Sequence, residues 1–381
     1  MLPSPGMGHL TPFAELAKRL ISIHGFTVTF ITLSSSQSPT QTDFLSSLPP
    51  SISSRSLPAV SLSDAPSNAR IETILSLEAS RSVPAVTSIL KDLKTKTNLV
   101  AFIADLFCCD LFEAARSVGL PCYMFFPSNC LFLSLMLHLP TLDATTTCEY
   151  RDLPGPLELP GCIPIPGPDL LHPLQDRSND CYRWMVHHGS RYHDADAILV
   201  NSFEAIEPNA VRILREHQPP VHAVGPMIRD KSTDGFDKSG CLDWLDKQPA
   251  GSVLYISFGS GGALTKEQMV ELALGLERSK QRFLWMVRSP LGEEVVEQHQ
   301  NAIMLVDGIG TALRLKERDD CLVDREEIAR VVRELMEGSE GRRVRGKAKE
   351  LQEVAAVTVK EGGQSYEALA KVANKLKGMS E

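Results

Sequence analysis

The stretch from Ser252 to Thr265 constrains this chain more than any other. Val253 to Ser257 is a short apolar, β-branched run, the pattern of a strand buried on both faces. Gly259, Gly261 and Gly262 interrupt it, and Thr265 stands where it can cap a helix beginning near Lys266. A strand, a glycine turn and a helix N-terminus together offer bare N–H groups and the positive end of a dipole to a phosphate. A plain tight turn is the other reading of the same glycines. The spacing is not Gly-x-Gly-x-x-Gly, and the next strand ends in Arg288 rather than an acid, which speaks against a nicotinamide dinucleotide.

With 381 residues, 43% of them hydrophobic, the chain can build two cores. A net charge of −8 argues against nucleic acid or an anionic membrane as a partner. The nine cysteines lack framework spacing, and Cys108, Cys109 and Cys122 sit in apolar runs, so they read as buried reduced thiols of a cytoplasmic protein. No apolar run reaches membrane-spanning length, and no charged-then-apolar leader opens the chain.

The start reads as a strand end, a glycine turn and a helix: Leu2-Pro-Ser-Pro-Gly-Met-Gly-His9, then Phe13, Leu16, Ala17, Leu20 and Ile21 on one face, with Gly25 as the stop. The strand that should precede this turn is missing, since only Met1 lies before Leu2. Phe26 to Leu33 is the next strand, and residues 34–65, rich in Ser, Thr and Pro, read as a surface loop. A helix around Val86 to Leu93 leads to a strand from Leu99 to Ala104 that ends at Asp105; further strands run from Cys122 to Phe126, Ala197 to Val200 and Val221 to Val224.

His9 and Asp105 thus stand at the carboxyl ends of strands, where open α/β sheets bind ligands. His9 as a packing or capping residue and Asp105 as a helix cap are the alternatives. Paired, they would form a general base, the carboxylate fixing the imidazole tautomer. Cys181, His187, His188 and His193 invite a metal, but their spacing matches no ligand set, so no metal is expected. Residues 151–176 carry seven prolines in a long loop of the kind that is often functional.

Several motifs resemble one family. Pro3-Ser-Pro-Gly-Met-Gly-His9, Ile103-Ala-Asp105-Leu-Phe107, Ile198-Leu-Val-Asn-Ser-Phe-Glu204, Val224-Gly-Pro226, Cys241-Leu-Asp-Trp-Leu-Asp246, Ser252 to Gly262 and Arg282 to Arg288 are similar to plant UDP-glycosyltransferases (glycosyltransferase family 1). Pro160-Gly-Cys-Ile-Pro164 and the run from Asp176 to Trp184 look most like the hydroquinone and monolignol glucosyltransferase group. The resemblance implies an α/β GT-B fold, two Rossmann-like domains facing across a cleft, with the C-terminal one incomplete. The expected boundaries are 1–226 for the acceptor domain, 227–240 for a linker, 241–365 for the UDP-sugar domain and 366–381 for a tail helix.

By the same resemblance the chain transfers glucose from UDP-glucose to a small phenolic acceptor with inversion. His9 would be the base and Asp105 its orienting partner, with Ser4, Gly259, Ser260, Glu297 and Gln298 at the donor and Phe107 at the acceptor. No cofactor beyond the UDP-sugar co-substrate is implied, nor nucleic acid or membrane insertion, and the chain is expected to be a cytoplasmic monomer.

The chain departs from the family after Pro290. The family's long donor box has a tryptophan that stacks on uracil, a His-Cys-Gly-Trp-Asn-Ser turn and a ribose-binding glutamate; none is present, and Glu297-Gln298 resembles its last pair. An internal deletion is expected, leaving strands at 253–257 and 283–287 and a weak third from Thr311 to Leu315. Two or three strands leave apolar faces uncovered. Asp324-x-x-Glu327 reads as a capping box before an amphipathic helix, and the segment after Gly362-Gly363 as a last helix packing as a tail.

Overall fold

A computed structural model describes residues 1–36, 38–229, 239–259, 264–287, 299–318 and 322–378. They fall into two units, Met1–Arg229 with Val354–Glu381, and Asp230–Glu353. In chain order the first unit carries α1 (Met7–His24), β1 (Val28–Thr32), α2 (Pro39–Ser46), β2 (Ile52–Ser56), α3 (Ile71–Arg81), α4 (Val83–Lys96), β3 (Phe102–Asp105), α5 (Phe112–Ser117), β4 (Cys122–Phe126), α6 (Cys130–Thr145), α7 (Asp180–Arg191), β5 (Ala197–Val200), α8 (Pro208–Arg215) and β6 (Val221–Ala223). The second unit contributes α9 (Cys241–Leu245), β7 (Val253–Ile256), α10 (Lys266–Ser279), β8 (Arg282–Trp285), α11 (His299–Ile303) and α12 (Arg325–Glu337). After α13 (Ser339–Thr358), α14 (Gln364–Gly378) returns to the first unit. The expected linker 227–240 falls mostly on positions 230–238, outside the described residues.

Every strand pair is parallel: β3-β4-β5-β6 form one sheet and β1-β2 another. Met1 and Leu2 join these two sheets. Leu2 N–H donates to Ile103 O at 2.8 Å and Leu2 O accepts from Asp105 N–H at 3.0 Å, while Met1 O accepts from Ile31 N–H at 2.9 Å. Met1 and Leu2 thus bridge β1 and β3 by backbone hydrogen bonds. Leu10, Phe13, Leu16 and Leu20 of α1 pack against Phe30, Ile103 and Phe125, and Leu369, Val372 and Leu376 of α14 close the same core.

The loop expected over 34–65 contains α2 and β2. Ser38 caps α2 by accepting from Gln41 N–H at 3.3 Å, with Pro39 at the first helical position. In β2 only Ile52 is buried, so this edge strand carries no apolar alternation for a sequence pattern to reveal.

In the second unit β7 pairs with β8, and α10 and α12 cover one face of the pair. Leu276, Ile328 and Val332 are buried there against Leu254, Ile256 and Trp285. The register puts Leu254, Ile256, Phe283 and Trp285 on that face and Tyr255 on the other, where it is 60% exposed. The expectation of a strand buried on both faces is therefore wrong: every residue of β7 is part-exposed or exposed, and among the described residues none covers Tyr255. Thr265 caps α10 as expected, accepting from Gln268 N–H at 3.1 Å. Asp324 caps α12 through Glu326 and Glu327 N–H at 2.9 Å, but the box is half formed, since the Glu327 carboxylate turns to Arg330 and Lys316 N–H instead. Thr311 to Leu315 is not a strand; Thr311 N–H closes a turn onto Leu305 O at 2.8 Å.

No helix among the described residues is long and apolar enough to cross a membrane. The α10–α12 contact depends on Gly275, where a Cβ would lie 2.6 Å from Ile328 Cβ and 3.0 Å from Arg325 O. Both are stiff neighbours, so Gly275→Ala should push the helices apart and cost about 1–3 kcal/mol. A urea titration read by fluorescence of Trp285 should show its transition at lower denaturant; an unchanged midpoint would mean that the contact relaxes freely.

Candidate active site

The first turn of α1 is set by Gly6, whose φ of 108° is strained for any other residue. That turn places His9 over the end of β3. The pairing of Leu2 with β3 fixes the two elements side by side, and His9 Nδ1 lies 2.9 Å from Asp105 Oδ2. Asp105 is fully buried. Its other oxygen accepts the Ser4 hydroxyl at 2.6 Å and Phe107 N–H at 3.4 Å, and Ser4 Oγ lies 3.5 Å from Cys108 Sγ.

A carboxylate only accepts, so a neutral His9 donates from Nδ1 and leaves the Nε2 lone pair free. Nε2 has no hydrogen-bond partner among the described residues, and the side chain is a quarter exposed. Burial by itself would lower the imidazole pKa; the charge and hydrogen bond of Asp105 outweigh it and raise the pKa above the ordinary 6.5. The arrangement is a base with an oriented tautomer and one open nitrogen.

The structure brings together four of the residues singled out in the sequence: His9, Asp105, Ser4 and Phe107. The Phe107 ring is 5.9 Å from His9, consistent with a wall of the site, while the Ser4 hydroxyl proton is committed to Asp105. Gly259 lies in the second unit, exposed, with φ of 76° and its N–H 3.4 Å from Ser257 Oγ. Ser260, Glu297 and Gln298 lie outside the described residues.

His188 escaped the sequence reading except as a metal candidate. It is buried, its ring edge-on to Phe107 at 5.6 Å and stacked on Trp184 at 5.8 Å. Ser76 donates its hydroxyl proton to Glu72 O, so His188 Nε2 must donate to Ser76 Oγ, 2.7 Å away. Nδ1 is then a buried lone pair without a partner, and burial drives the ring's pKa down to about 3. Only the adjacency of His187 and His188 to Trp184 in the chain hinted at such a cluster. His187 pairs with Asp110 at 2.8 Å, His193 with Gln218 O at 3.3 Å, and the described residues hold no group of three possible metal ligands.

Known proteins share this arrangement of chain and fold. The chain is 42% identical to UDP-glycosyltransferase 72B1 of Arabidopsis thaliana, covering 99% of this chain and 95% of that one. It is 40% identical to hydroquinone glucosyltransferase of Rauvolfia serpentina, covering 98% and 97%. The solved structure of Phytolacca americana UGT2 complexed with UDP-2fluoro-glucose and pterostilbene matches with a TM-score of 0.92 at 38% identity, covering 99% of this chain and 98% of that one. A UDP-glucosyltransferase from Polygonum tinctorium capable of glucosylating indoxyl, in complex with 3,4-dichloroaniline, matches at 0.93 and 40%, covering 99% and 97%. No family model matches. Fold and relatives define the class as a GT-B glycosyltransferase. The chain belongs to the plant UDP-glycosyltransferases.

If Asp105 is what raises the His9 pKa, Asp105→Asn must lower it, because burial then acts alone. An NMR titration of the His9 ring should give a midpoint above 6.5 in the native chain and a lower one in the variant. Equal midpoints would show that the carboxylate does not control the imidazole.

Proposed function

We propose that this chain is an inverting UDP-sugar-dependent O-glucosyltransferase of small phenolic acceptors. The observation that carries the reading is the 2.9 Å contact of His9 Nδ1 with the buried Asp105, which leaves Nε2 free. Nε2 would take the proton of the acceptor hydroxyl as its oxygen attacks the anomeric carbon and UDP departs. Asp105 balances the imidazolium so formed, and Ser4 holds Asp105 in place. Phe107 offers its ring to an aromatic acceptor, consistent with the hydroquinone and pterostilbene in the relatives' names. Residues 1–226 would hold the acceptor, and 241–365, with Gly259, Ser260, Glu297 and Gln298, the UDP-glucose.

Turnover of UDP-glucose with hydroquinone tests this. His9→Ala should lower kcat by about 10²–10⁴. Because the free base acts, kcat/KM should fall on the acid side, with a midpoint above 6.5 set by the raised His9 pKa. Unchanged rates in His9→Ala would overturn the assignment.

A second reading, a chain that binds acceptor with weak or no catalysis, is favoured by the second unit. Among its described residues only β7 and β8 form a sheet, and one face of that sheet is open. The alignment to 72B1 runs over 458 positions against 381 residues here, in keeping with an internal deletion. A lost preorganised donor costs about 3–4 kcal/mol of transition-state stabilisation. Calorimetric titration with UDP separates the readings: saturable binding supports the transferase, and no binding to the folded chain sinks it.

A further inference from the structure

The amino ends of β5 and β6 carry a second group of histidines. These strands are parallel neighbours, so the turns that lead into them, residues 192–194 and 217–220, lie side by side. They occupy the edge of the sheet opposite to the carboxyl end where His9 meets Asp105. His193 Nδ1 is 3.3 Å from Gln218 O, and His217 Nδ1 is 3.2 Å from Pro219 O. A carbonyl oxygen only accepts, so each neutral ring carries its proton on Nδ1 and keeps its lone pair on Nε2. His138 of α6 is fixed in the same way, its Nδ1 donating to Ser134 O at 2.8 Å. None of the three Nε2 atoms has a hydrogen-bond partner among the described residues.

The rings of His193 and His217 stand 5.5 Å apart between centroids, with their planes at 31°. Two imidazoles that share one ion through nitrogens at about 2.0–2.1 Å, with a tetrahedral angle between them, have ring centres roughly 5–5.5 Å apart. The pair therefore already stands at chelating distance. A ring N–H held on a backbone carbonyl is also the support that metal-ligating histidines use, because it fixes the tautomer and raises the basicity of the other nitrogen. Metal binding needs neutral rings. Burial first, and then the charges of His193 and His138, keep the His217 pKa below the ordinary 6.5 against the hydrogen bond to Pro219 O, which raises it. Its lone pair is thus available at neutral pH. His193 is exposed and His217 half-buried, so an ion can reach the pair from solvent.

We propose that His193 and His217 form a Zn²⁺ site remote from the His9–Asp105 pair, with two Nε2 ligands and water in the remaining positions. Imidazole nitrogen suits a borderline ion such as Zn²⁺ and disfavours Mg²⁺ and Ca²⁺, which take oxygen. No spacing rule within one segment could reveal the site, because its two ligands come from separate turns that only the pairing of β5 with β6 brings together. A bound ion would tie those turns to each other and stabilise the first unit without touching the transfer chemistry.

The test uses the full chain and zinc chloride. Calorimetry should show one saturable site per chain that His193→Asn and His217→Asn each weaken at least about ten-fold, with circular dichroism confirming that both variants are folded. Zinc should raise the thermal midpoint of the native chain by a few degrees and leave that of the variants unchanged. Co²⁺, a paramagnetic stand-in for Zn²⁺, should shift or broaden the ring signals of His193 and His217 before those of the other histidines, a readout that needs no variant. No saturable zinc binding, equal affinity in the native chain and both variants, or Co²⁺ effects centred on other histidines would each overturn the proposal.

Discussion

The backbone pairing of Leu2 with Ile103 and Asp105 is the interaction on which the first unit depends. It spans the break between the β1-β2 and β3–β6 sheets, so that α1 lies over both. Because Leu2 bonds the N–H of Asp105 itself, the same contact sets the distance from α1 to the end of β3. Gly6 then turns the chain into α1 within one turn of His9. A parallel sheet puts all its carboxyl ends on one side, and two residues of pairing suffice to bring an imidazole and a carboxylate from 96 residues apart into contact.

Much of what marks the family in the sequence supports this frame without touching chemistry. Asn201 Oδ1 accepts Met227 N–H at 2.8 Å, and a Cβ on Gly225 would lie 2.7 Å from that oxygen, which explains Asn201 and Gly225 in separate motifs. Buried Glu207 caps α6, accepting Cys130 N–H at 2.9 Å and Leu131 N–H at 2.8 Å, with the Ser202 hydroxyl beside it. A buried carboxylate is tolerated there because every lone pair facing the protein meets a donor at a helix N-terminus. Among the described residues five cysteines are buried with free thiols, and burial pushes Cys108 and Cys109 well up, so they act as small apolar fillers.

His9, Asp105 and the strands ending beside them were legible because a strand-turn-helix pattern fixes a residue's position without knowledge of its neighbours. β2 was not, since Ser53, Ser54 and Arg55 carry no burial signal and the strand exists only because β1 offers an edge. His188 was hidden for a related reason. Its partner Ser76 lies 112 residues away on α3, and no spacing rule links α3 to α7. The burial of β7 was misjudged because an apolar run records what a strand can pack against, not whether a cover is present.

That distinction bears on the donor side. In the second unit Tyr255 stands open on the sheet face opposite α10 and α12, while Leu276, Ile328 and Val332 form a core on the covered side. Phosphate binding by a turn depends on N–H groups held in one geometry before the ligand arrives. Gly259, exposed at φ of 76° with one long bond to Ser257, is the described end of that turn. In the first unit, by contrast, Asp105 is fully buried and hydrogen-bonded on both oxygens. The proposed transfer thus rests on a well-ordered His9–Asp105 pair in the first unit and, in the second, on a turn whose described end, Gly259, is exposed.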